Sequence, residues 1–224
     1  MLYTAVYGWS DWIKPAPVVD VECRLYTDNM ATAEKAQSQG WVPYVINHGI
    51  ATLRGDPKIT APMLAHKWWK THPELACPDT DISIWIDGSM EVTVRGYVGE
   101  CLNRLGADDW SATRHPARGC IFPEAEYSAT LHWRYDAESI RAQQAHYRNF
   151  HPDNWGLIAT GCCVRRHTSE VIELSHQWWH ENIVWSHQDQ LSLPVLLRQF
   201  EGRVKLNYNM PWHSDWILHP HGDR

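Results

Sequence analysis

The chain has 224 residues, of which 44% are hydrophobic and 21% are charged. A chain of this length buries about 70% of its unfolded surface in one core, so we expect a single domain over residues 1–224. Its formal net charge of −6 does not provide the basic surface on which generic binding to a nucleic-acid backbone depends.

Short apolar runs bounded by glycine or polar residues predict strands in the first half of the chain. These strands cover Leu2–Tyr7, Val21–Tyr26, Trp41–Ile46 and Ile82–Ile86. A short helix is predicted over Thr32–Gln39, where Gly40 ends it. Because proline suits the first helical turn, a second helix is predicted from Pro62 to about Thr71.

The second half of the chain also alternates helix and strand. The predicted elements are a helix Ala137–Asn149 capped by Asp136, a buried strand Leu157–Val164, a helix to Asn182 capped by Thr168 or Ser169, and a last helix beginning near 186–189. Since proline lacks the N–H that a helix interior needs, this last helix should bend or restart at Pro194.

Strands separated by helices favour an α/β fold of Rossmann type, with a mainly parallel sheet covered by helices on both faces. Ligands bind such sheets at the carboxyl ends of the strands. The loops that follow Tyr7, Tyr26 and Ile86 should therefore lie along one edge of the sheet.

Three residues, Gly8, Asp28 and Asp87, directly follow predicted strands. A glycine lets the backbone approach a ligand closely, and a carboxylate at a strand end accepts hydrogen bonds from a ribose or binds a hard cation. Polar residues end most strands, so this position alone does not define a site.

The segment Ile84-Trp85-Ile86-Asp87-Gly88-Ser89 resembles the D-x-D motif of glycosyltransferases with the GT-A fold. In that motif the acidic pair holds Mn²⁺ or Mg²⁺ against a sugar-nucleotide diphosphate, whose departing charge the cation neutralises. Ser89 stands where the second carboxylate is expected. Either Asp87 binds the metal with ligands from elsewhere, or metal binding is weak or absent.

Further segments occur in the order of one known family. They are Tyr7-Gly8, Tyr26-Thr27-Asp28, Lys67–Lys70, Ile84–Gly88, His115-Pro116, Trp178–Glu181 and Ser186–Ser192. From about Tyr3 to Leu193 the chain resembles a glycosyltransferase-like family, formerly known only as a domain of unknown function, that includes plant seed-mucilage and pollen turgor-defect proteins. The resemblance implies a GT-A-like fold and transfer of a hexosyl or pentosyl group from a UDP-linked donor to an acceptor hydroxyl.

The resemblance also implies residues of the donor site. Tyr7, Gly8, Asp28 and Trp85 would contact the nucleotide sugar. Lys67 and Lys70, on the helix upstream of the Asp87 strand, would meet the diphosphate, unless they belong to a solvated helix face.

Asp189 lies in the first turn of a predicted helix, where the helix dipole favours an ionised carboxylate. The resemblance implies that Asp189 is the general base that takes the proton from the acceptor hydroxyl. Alternatively, Asp189 fixes hydroxyls of the sugar or caps its own helix.

The metal site implied by the resemblance combines Asp87 with a histidine of the C-terminal segment, His213 or His219. Neutral imidazole is a common metal ligand, so either side chain would replace the missing second carboxylate. The alternative is that this segment is a flexible polar terminus.

Cysteine usage and hydropathy indicate the compartment. The six Cys form no C-x-x-C pair, Met1–Tyr7 lacks the basic region of a signal peptide, and no apolar run approaches the ~20 residues that span a bilayer. We therefore expect a cytoplasmic protein with free, buried thiols.

Two other classes of function are open. A metal hydrolase is suggested by His176 and His180, four residues apart on one helical face, although no glutamate base lies between them as in H-E-x-x-H. A non-catalytic carbohydrate-binding module would suit Ser89 and the 14 Trp. The acceptor of a transferase is also open and includes a glycan, a small molecule, a protein or an extruded, modified base.

Overall fold

The computed structural model describes residues 1–8, 12–47, 57–212 and 214–220, with only the backbone of residues 57–60. The strands are β1 (Leu2–Ala5), β2 (Cys23–Thr27), β3 (Val42–Val45), β4 (Ile82–Ile86), β5 (Met90–Val92), β6 (Trp110–Arg114), β7 (Ile158–Arg166), β8 (Leu206–Asn207) and β9 (Trp216–Leu218). The helices are α1 (Met30–Ser38), α2 (Pro57–Thr71), α3 (Pro73–Ala76), α4 (Tyr97–Leu105), α5 (Ile121–Ser128), α6 (Ala137–Tyr147), α7 (Ser169–Val184) and α8 (Asp189–Gln199).

Seven strands form the main sheet in the order β3-β2-β1-β4-β7-β6-β8. The pairs β1–β2, β2–β3, β1–β4 and β6–β8 are parallel, whereas β7 runs antiparallel to both of its neighbours, β4 and β6. The predicted α/β class with a mainly parallel sheet is confirmed. The antiparallel insertion of β7 was not predicted.

Side chains that alternate along the strands build a hydrophobic cluster on each face of the sheet. Tyr3 and Trp85 point into the cluster shared with α2, α7 and α8, whereas Leu2 and Ile84 point into the cluster shared with α1 and α4. Helices therefore cover both faces of the sheet, as predicted.

A second, two-stranded sheet pairs β5 with β9 in antiparallel register, with Met90 opposite Leu218. Because β5 begins three residues after Asp87, this pairing brings the C-terminal segment next to the end of β4. No element was predicted between Gly88 and Asp136 or after Pro194. The structure contains six elements there that the sequence analysis did not predict: β5, α4, β6, α5, β8 and β9.

The prediction that a helix opens at Pro62 was wrong, and the restart predicted at Pro194 does not occur. The helix predicted to open at Pro62 begins at Pro57, so Pro57 takes the first-turn position and Pro62 lies within the helix. Helix α8 runs without a restart from Asp189 to Gln199 through Pro194, which is buried. Burial of the surrounding apolar face offsets the hydrogen bond that Pro194 cannot make.

The loops after β1, β2 and β4 lie along one edge of the sheet, because these three strands are mutually parallel. This confirms the predicted common edge. Gly8 lies there with a φ of +62°, and a Cβ added to it would come within 2.5 Å of the Pro62 Cβ. The turn after β1 therefore requires glycine both for its backbone conformation and for its approach to α2.

Replacing Gly8 by alanine should lower the free energy of unfolding by at least about 2 kcal/mol, because the variant adds a left-handed alanine and a clash with Pro62. Urea unfolding measures the change. Gly99→Ala is the matched control, since Gly99 lies in α4 with open space around it and should change stability by no more than about 1 kcal/mol. Equal unfolding midpoints for wild type and Gly8→Ala would contradict the requirement for glycine in the turn after β1.

All six cysteines are free and buried, as predicted. No helix in the described part of the chain is long and apolar enough to cross a membrane. The cytoplasmic compartment and the single-domain boundary stay predictions.

Candidate active site

Asp87 follows β4 directly and carries a partly exposed carboxylate. Its side chain is 27% exposed, and its Oδ1 accepts from Trp85 Nε1 at 2.7 Å and from Lys70 Nζ at 3.1 Å. His66 Nε2 lies 3.8 Å from the same oxygen. Because the Asp87 backbone N–H also donates to the Gly161 carbonyl, both the main chain and the carboxylate are fixed at the sheet edge.

Asp189 begins α8 and is almost fully buried, with 4% of its side chain exposed. Its Oδ1 accepts from Thr160 Oγ1 at 2.9 Å. Its Oδ2 accepts from Lys67 Nζ at 2.6 Å and contacts Lys70 Nζ at 2.8 Å. These contacts of the Asp189 carboxylate are made with side chains of α2 and β7.

Lys70 connects the two carboxylates. Its Nζ lies 3.1 Å from Asp87 Oδ1 and 2.8 Å from Asp189 Oδ2, and its side chain is 0% exposed. The same ammonium lies 5.7 Å from the ring centroids of Trp85 and of Trp178. We call Lys67, Lys70, Asp87 and Asp189 the lysine–aspartate cluster; it joins β4, α2 and α8 at the carboxyl edge of the sheet.

The cluster holds both carboxylates ionised. Burial by itself would raise the pKa of Asp189, but the charges of Lys67 and Lys70 outweigh burial and hold that pKa well below its usual range. Burial would also raise the pKa of Asp87, but nearby charges, chiefly that of Lys70, lower it well below its usual range. Burial also opposes the charge of Lys70, yet the two aspartates raise the pKa of its ammonium.

These pKa directions bear on the predicted role of Asp189. A general base works best when its pKa lies near the operating pH, and it must reach the proton that it accepts. Asp189 has a lowered pKa, is buried, and faces Lys67 and Lys70. The role of general base stays a prediction, and the geometry fits a residue that holds the two ammonium groups in place.

Stability should depend on this carboxylate in a defined pH window. Because the pKa of Asp189 is lower in the folded state, its contribution is present above the unfolded-state value of about 3.9 and is lost as the pH falls further. Asp189→Asn should therefore melt below wild type at about pH 7, and the difference in Tm should shrink below about pH 4. Thermal melts across this range test it; a difference independent of pH would contradict the ionised pair.

The residues predicted to contact the nucleotide divide into exposed and buried groups. Gly8 and Asp28 are exposed at the carboxyl edge. Tyr7 is buried, donates to the Ile46 carbonyl at 3.0 Å and accepts from Trp69 Nε1 at 2.9 Å. Trp85 is fully buried and supports Asp87. A direct donor contact fits the positions of Gly8 and Asp28, whereas Tyr7 and Trp85 are placed as supporting residues.

Among the described residues, the predicted metal ligands Asp87 and His219 do not belong to any group arranged to hold a metal ion. The His219 backbone N–H donates to the Ser89 carbonyl, but its imidazole Nε2 pairs with Glu91 Oε2 at 2.7 Å. His213 lies outside the described residues. Across the described ranges, no group of three or more His, Cys, Asp or Glu side chains is arranged to hold a metal ion. With Asp87 Oδ1 already occupied by Lys70 and Trp85, the described residues do not fit a divalent cation.

The segment before Asp189 is fixed by hydrogen bonds that sequence reasoning missed. Gln188 Nε2 donates to Glu124 Oε1 at 3.0 Å and to Ser128 Oγ at 2.9 Å, and His187 Nε2 donates to the Arg134 carbonyl. Burial, the largest cause, lowers the pKa of His187 to about 3, so the ring is neutral. These contacts set the position at which α8 presents Asp189.

His66 and Thr160 were also missed, although His66 had a sequence signal. It lies one turn before Lys70 on α2, and residues four apart share a helical face. Thr160 had none, because its contact with Asp189 joins β7 to α8. The histidines His176 and His180, suggested for a metal hydrolase, belong to no metal-holding group among the described residues, and His176 Nε2 lies 2.8 Å from Glu74 Oε1.

The fold and the site define an α/β protein with paired carboxylates and ammonium groups at the carboxyl edge of a mainly parallel sheet, where ligands bind in this class. The model of the TOD1/MUCI70 glycosyltransferase-like domain matches residues 70–215, and the chain belongs to this family. The matched region contains Lys70, Asp87 and Asp189. The predicted family is confirmed, and with it a function in glycosyl transfer. No curated protein matches the chain.

The solved structures that resemble the chain include two glycosyltransferases. Mouse xyloside xylosyltransferase 1 in its apo form is 10% identical, has a TM-score of 0.48, and the match covers 92% of this chain and 83% of that one. The bifunctional glycosyltransferase WbbM, also apo, is 10% identical with a TM-score of 0.49, and the match covers 92% of this chain and 38% of that one. At these scores neither likeness adds weight to the assignment, which rests on the family match.

Proposed function

We propose that this chain transfers a glycosyl group from a nucleotide-sugar donor, UDP-linked, to an acceptor hydroxyl at the lysine–aspartate cluster. The observation that carries the proposal is the position of the cluster. It lies at the carboxyl edge of β4, beside the glycine turn after β1, and within the region that matches the family.

In the proposed reaction, the acceptor oxygen forms a bond to the anomeric carbon of the donor, and the bond from that carbon to the diphosphate oxygen breaks. The nucleoside diphosphate leaves with the bonding electron pair, and the hydroxyl proton passes to a base or to solvent. Fixed charge beside the leaving group lowers the barrier, because it needs no rearrangement when charge develops.

We assign different tasks to the two aspartates. Asp87 is partly exposed and contacts the donor, while its Oδ1 is held by Lys70 and Trp85. Asp189 is a positioning residue that fixes Lys67 and Lys70, because both of its oxygens already accept from the protein. Gly8 and Asp28 contribute to the nucleoside side of the site from the exposed edge.

The donor and acceptor are proposed by chemical class. The donor is a UDP-hexose or UDP-pentose, and the acceptor carries a free hydroxyl on a glycan, a small molecule or a modified base. The net charge of −6 argues against a nucleic-acid backbone as the partner. Mn²⁺ or Mg²⁺ is the cation that the family resemblance implies, and the described residues do not fit it.

The test combines calorimetric titration with UDP and UDP-sugars and an assay of donor hydrolysis or transfer. The proposal expects saturable binding together with slow release of UDP from at least one UDP-sugar. Binding with no turnover on any donor or acceptor would favour the non-catalytic module. If no sugar nucleotide binds, the proposed function is wrong.

A further inference from the structure

The charge of the lysine–aspartate cluster is already balanced by the protein. Two carboxylates with one divalent cation have the same net formal charge, zero, as two carboxylates with two ammonium groups. The Lys70 ammonium lies within 3.1 Å of Asp87 and 2.8 Å of Asp189, and Lys67 lies 2.6 Å from Asp189. The lysines thus supply, from α2, the positive charge that an ion would bring to a pair of acidic residues.

The position of Lys70 also competes with an ion. A divalent cation needs carboxylate oxygens at about 2.0–2.2 Å, with the remaining positions filled by further oxygen or nitrogen ligands. Asp87 Oδ1 already accepts from both Lys70 and Trp85, and Ser89 replaces the second acid of the motif. The only Asp189 oxygen not bound to a lysine accepts from Thr160.

Lys70 is not placed to leave this position. Its side chain is 0% exposed, and its ammonium lies between two carboxylates and over the faces of Trp85 and Trp178. Indole faces attract ammonium ions, so four groups hold this one buried charge. Moving the ammonium aside to admit an ion would leave it buried and unpaired.

We propose that Lys70, assisted by Lys67, takes the place of the divalent cation at Asp87, so that donor binding and transfer in this chain need no metal ion. Only the statement that donor binding and transfer need no metal ion rests on the proposed function. The absence of an Asp87-dependent metal site is a property of the folded protein and can be measured without any substrate.

The first experiment titrates the metal-free wild type and Asp87→Asn with MnCl₂ alone and follows free Mn²⁺ by electron paramagnetic resonance. The expected result is the same binding curve for both proteins, whatever weak sites the exposed histidines contribute. Stoichiometric binding that Asp87→Asn removes would overturn the proposal. This comparison holds whether or not the chain proves to be a transferase.

The second experiment measures UDP affinity and donor turnover in EDTA and in MnCl₂. We expect the two conditions to agree within about twofold, and a loss of about tenfold or more in EDTA would overturn the proposal. If UDP does not bind in either condition, the proposed function fails, while the MnCl₂ titration still decides the metal question.

A charge-removing variant tests Lys70 itself. Lys70→Gln should lose about tenfold or more in UDP affinity in both media, whereas Lys205→Gln, at an exposed position, should lose none. Unchanged UDP affinity in folded Lys70→Gln would overturn the assignment of Lys70. Should this variant not fold, the comparison in EDTA and MnCl₂ with the wild-type protein remains decisive.

Discussion

Asp87→Asn should lower donor turnover by about 10²–10³-fold while leaving the fold intact. The asparagine oxygen can still accept from Trp85 and Lys70, so the hydrogen bonds of Oδ1 are retained. What disappears is the negative charge that fixes Lys70 at the proposed donor site. Because Lys70 keeps its contact with Asp189, the loss of stability should stay near about 1 kcal/mol.

The measurement is kcat and kcat/KM for donor hydrolysis, with circular dichroism and a thermal melt to establish folding. Asp153→Asn is the matched control, because Asp153 is 72% exposed and its ion pair with Arg148, at 4.0 Å, lies on the surface. This control should keep full activity. Full activity in Asp87→Asn would remove Asp87 from the site.

Lys70→Met should lower the free energy of unfolding by about 3–5 kcal/mol, one of the largest effects of any single substitution in this chain. The change leaves the buried Asp189 with Lys67 alone and leaves Asp87 without its ammonium partner. Urea unfolding with a constant m-value gives the difference. Lys205→Met, at an exposed position, should change stability by no more than about 0.5 kcal/mol.

A double-mutant cycle separates the ion pair from general damage to the core. In Lys70→Met/Asp189→Asn the buried carboxylate is removed with its partner, so the loss should be smaller than the sum of the two single losses. We expect a coupling free energy of about 1–3 kcal/mol. Additive losses, or a single loss below about 1 kcal/mol for Lys70→Met, would show that Lys70 does not bridge the carboxylates.

Local patterns in the sequence were sufficient to predict the strand that ends at Asp87 and the N-terminal caps of two helices. The run Ile82–Ile86 is β4 as predicted, and Asp136 and Thr168 cap α6 and α7 with their side chains. Helix α4 had an available signal that was not used, since Tyr97, Cys101 and Leu105 repeat at four-residue spacing and are buried.

The rest of the fold depends on pairing between distant segments. No local sequence pattern shows that β7 is antiparallel. Its direction follows from its pairing with β4 and β6, which are distant from it in the sequence. The same holds for the site. Lys67 and Asp189 are 122 residues apart, and only the packing of α2 against α7 and α8 brings them into contact.

This separation along the chain explains why the sequence did not reveal the contacts between the lysines and the aspartates. Strand-end position singled out Asp87, and the family resemblance added Lys67, Lys70 and Asp189. They did not reveal that each lysine is paired with a carboxylate, and so the roles of free phosphate ligand and general base were inferred without those pairs. His219 was chosen for its chemistry, whereas its partner, Glu91, follows from the pairing of β5 with β9.

The most direct test of the central claim is a crystal structure of the protein soaked with UDP in the presence of EDTA. The account predicts diphosphate density at the carboxyl edge of the sheet, beside Asp87 and between the turns at Gly8 and Asp28, with Lys70 still bridging Asp87 and Asp189. Density for UDP at any other surface, with this edge empty at saturating concentration, would contradict it.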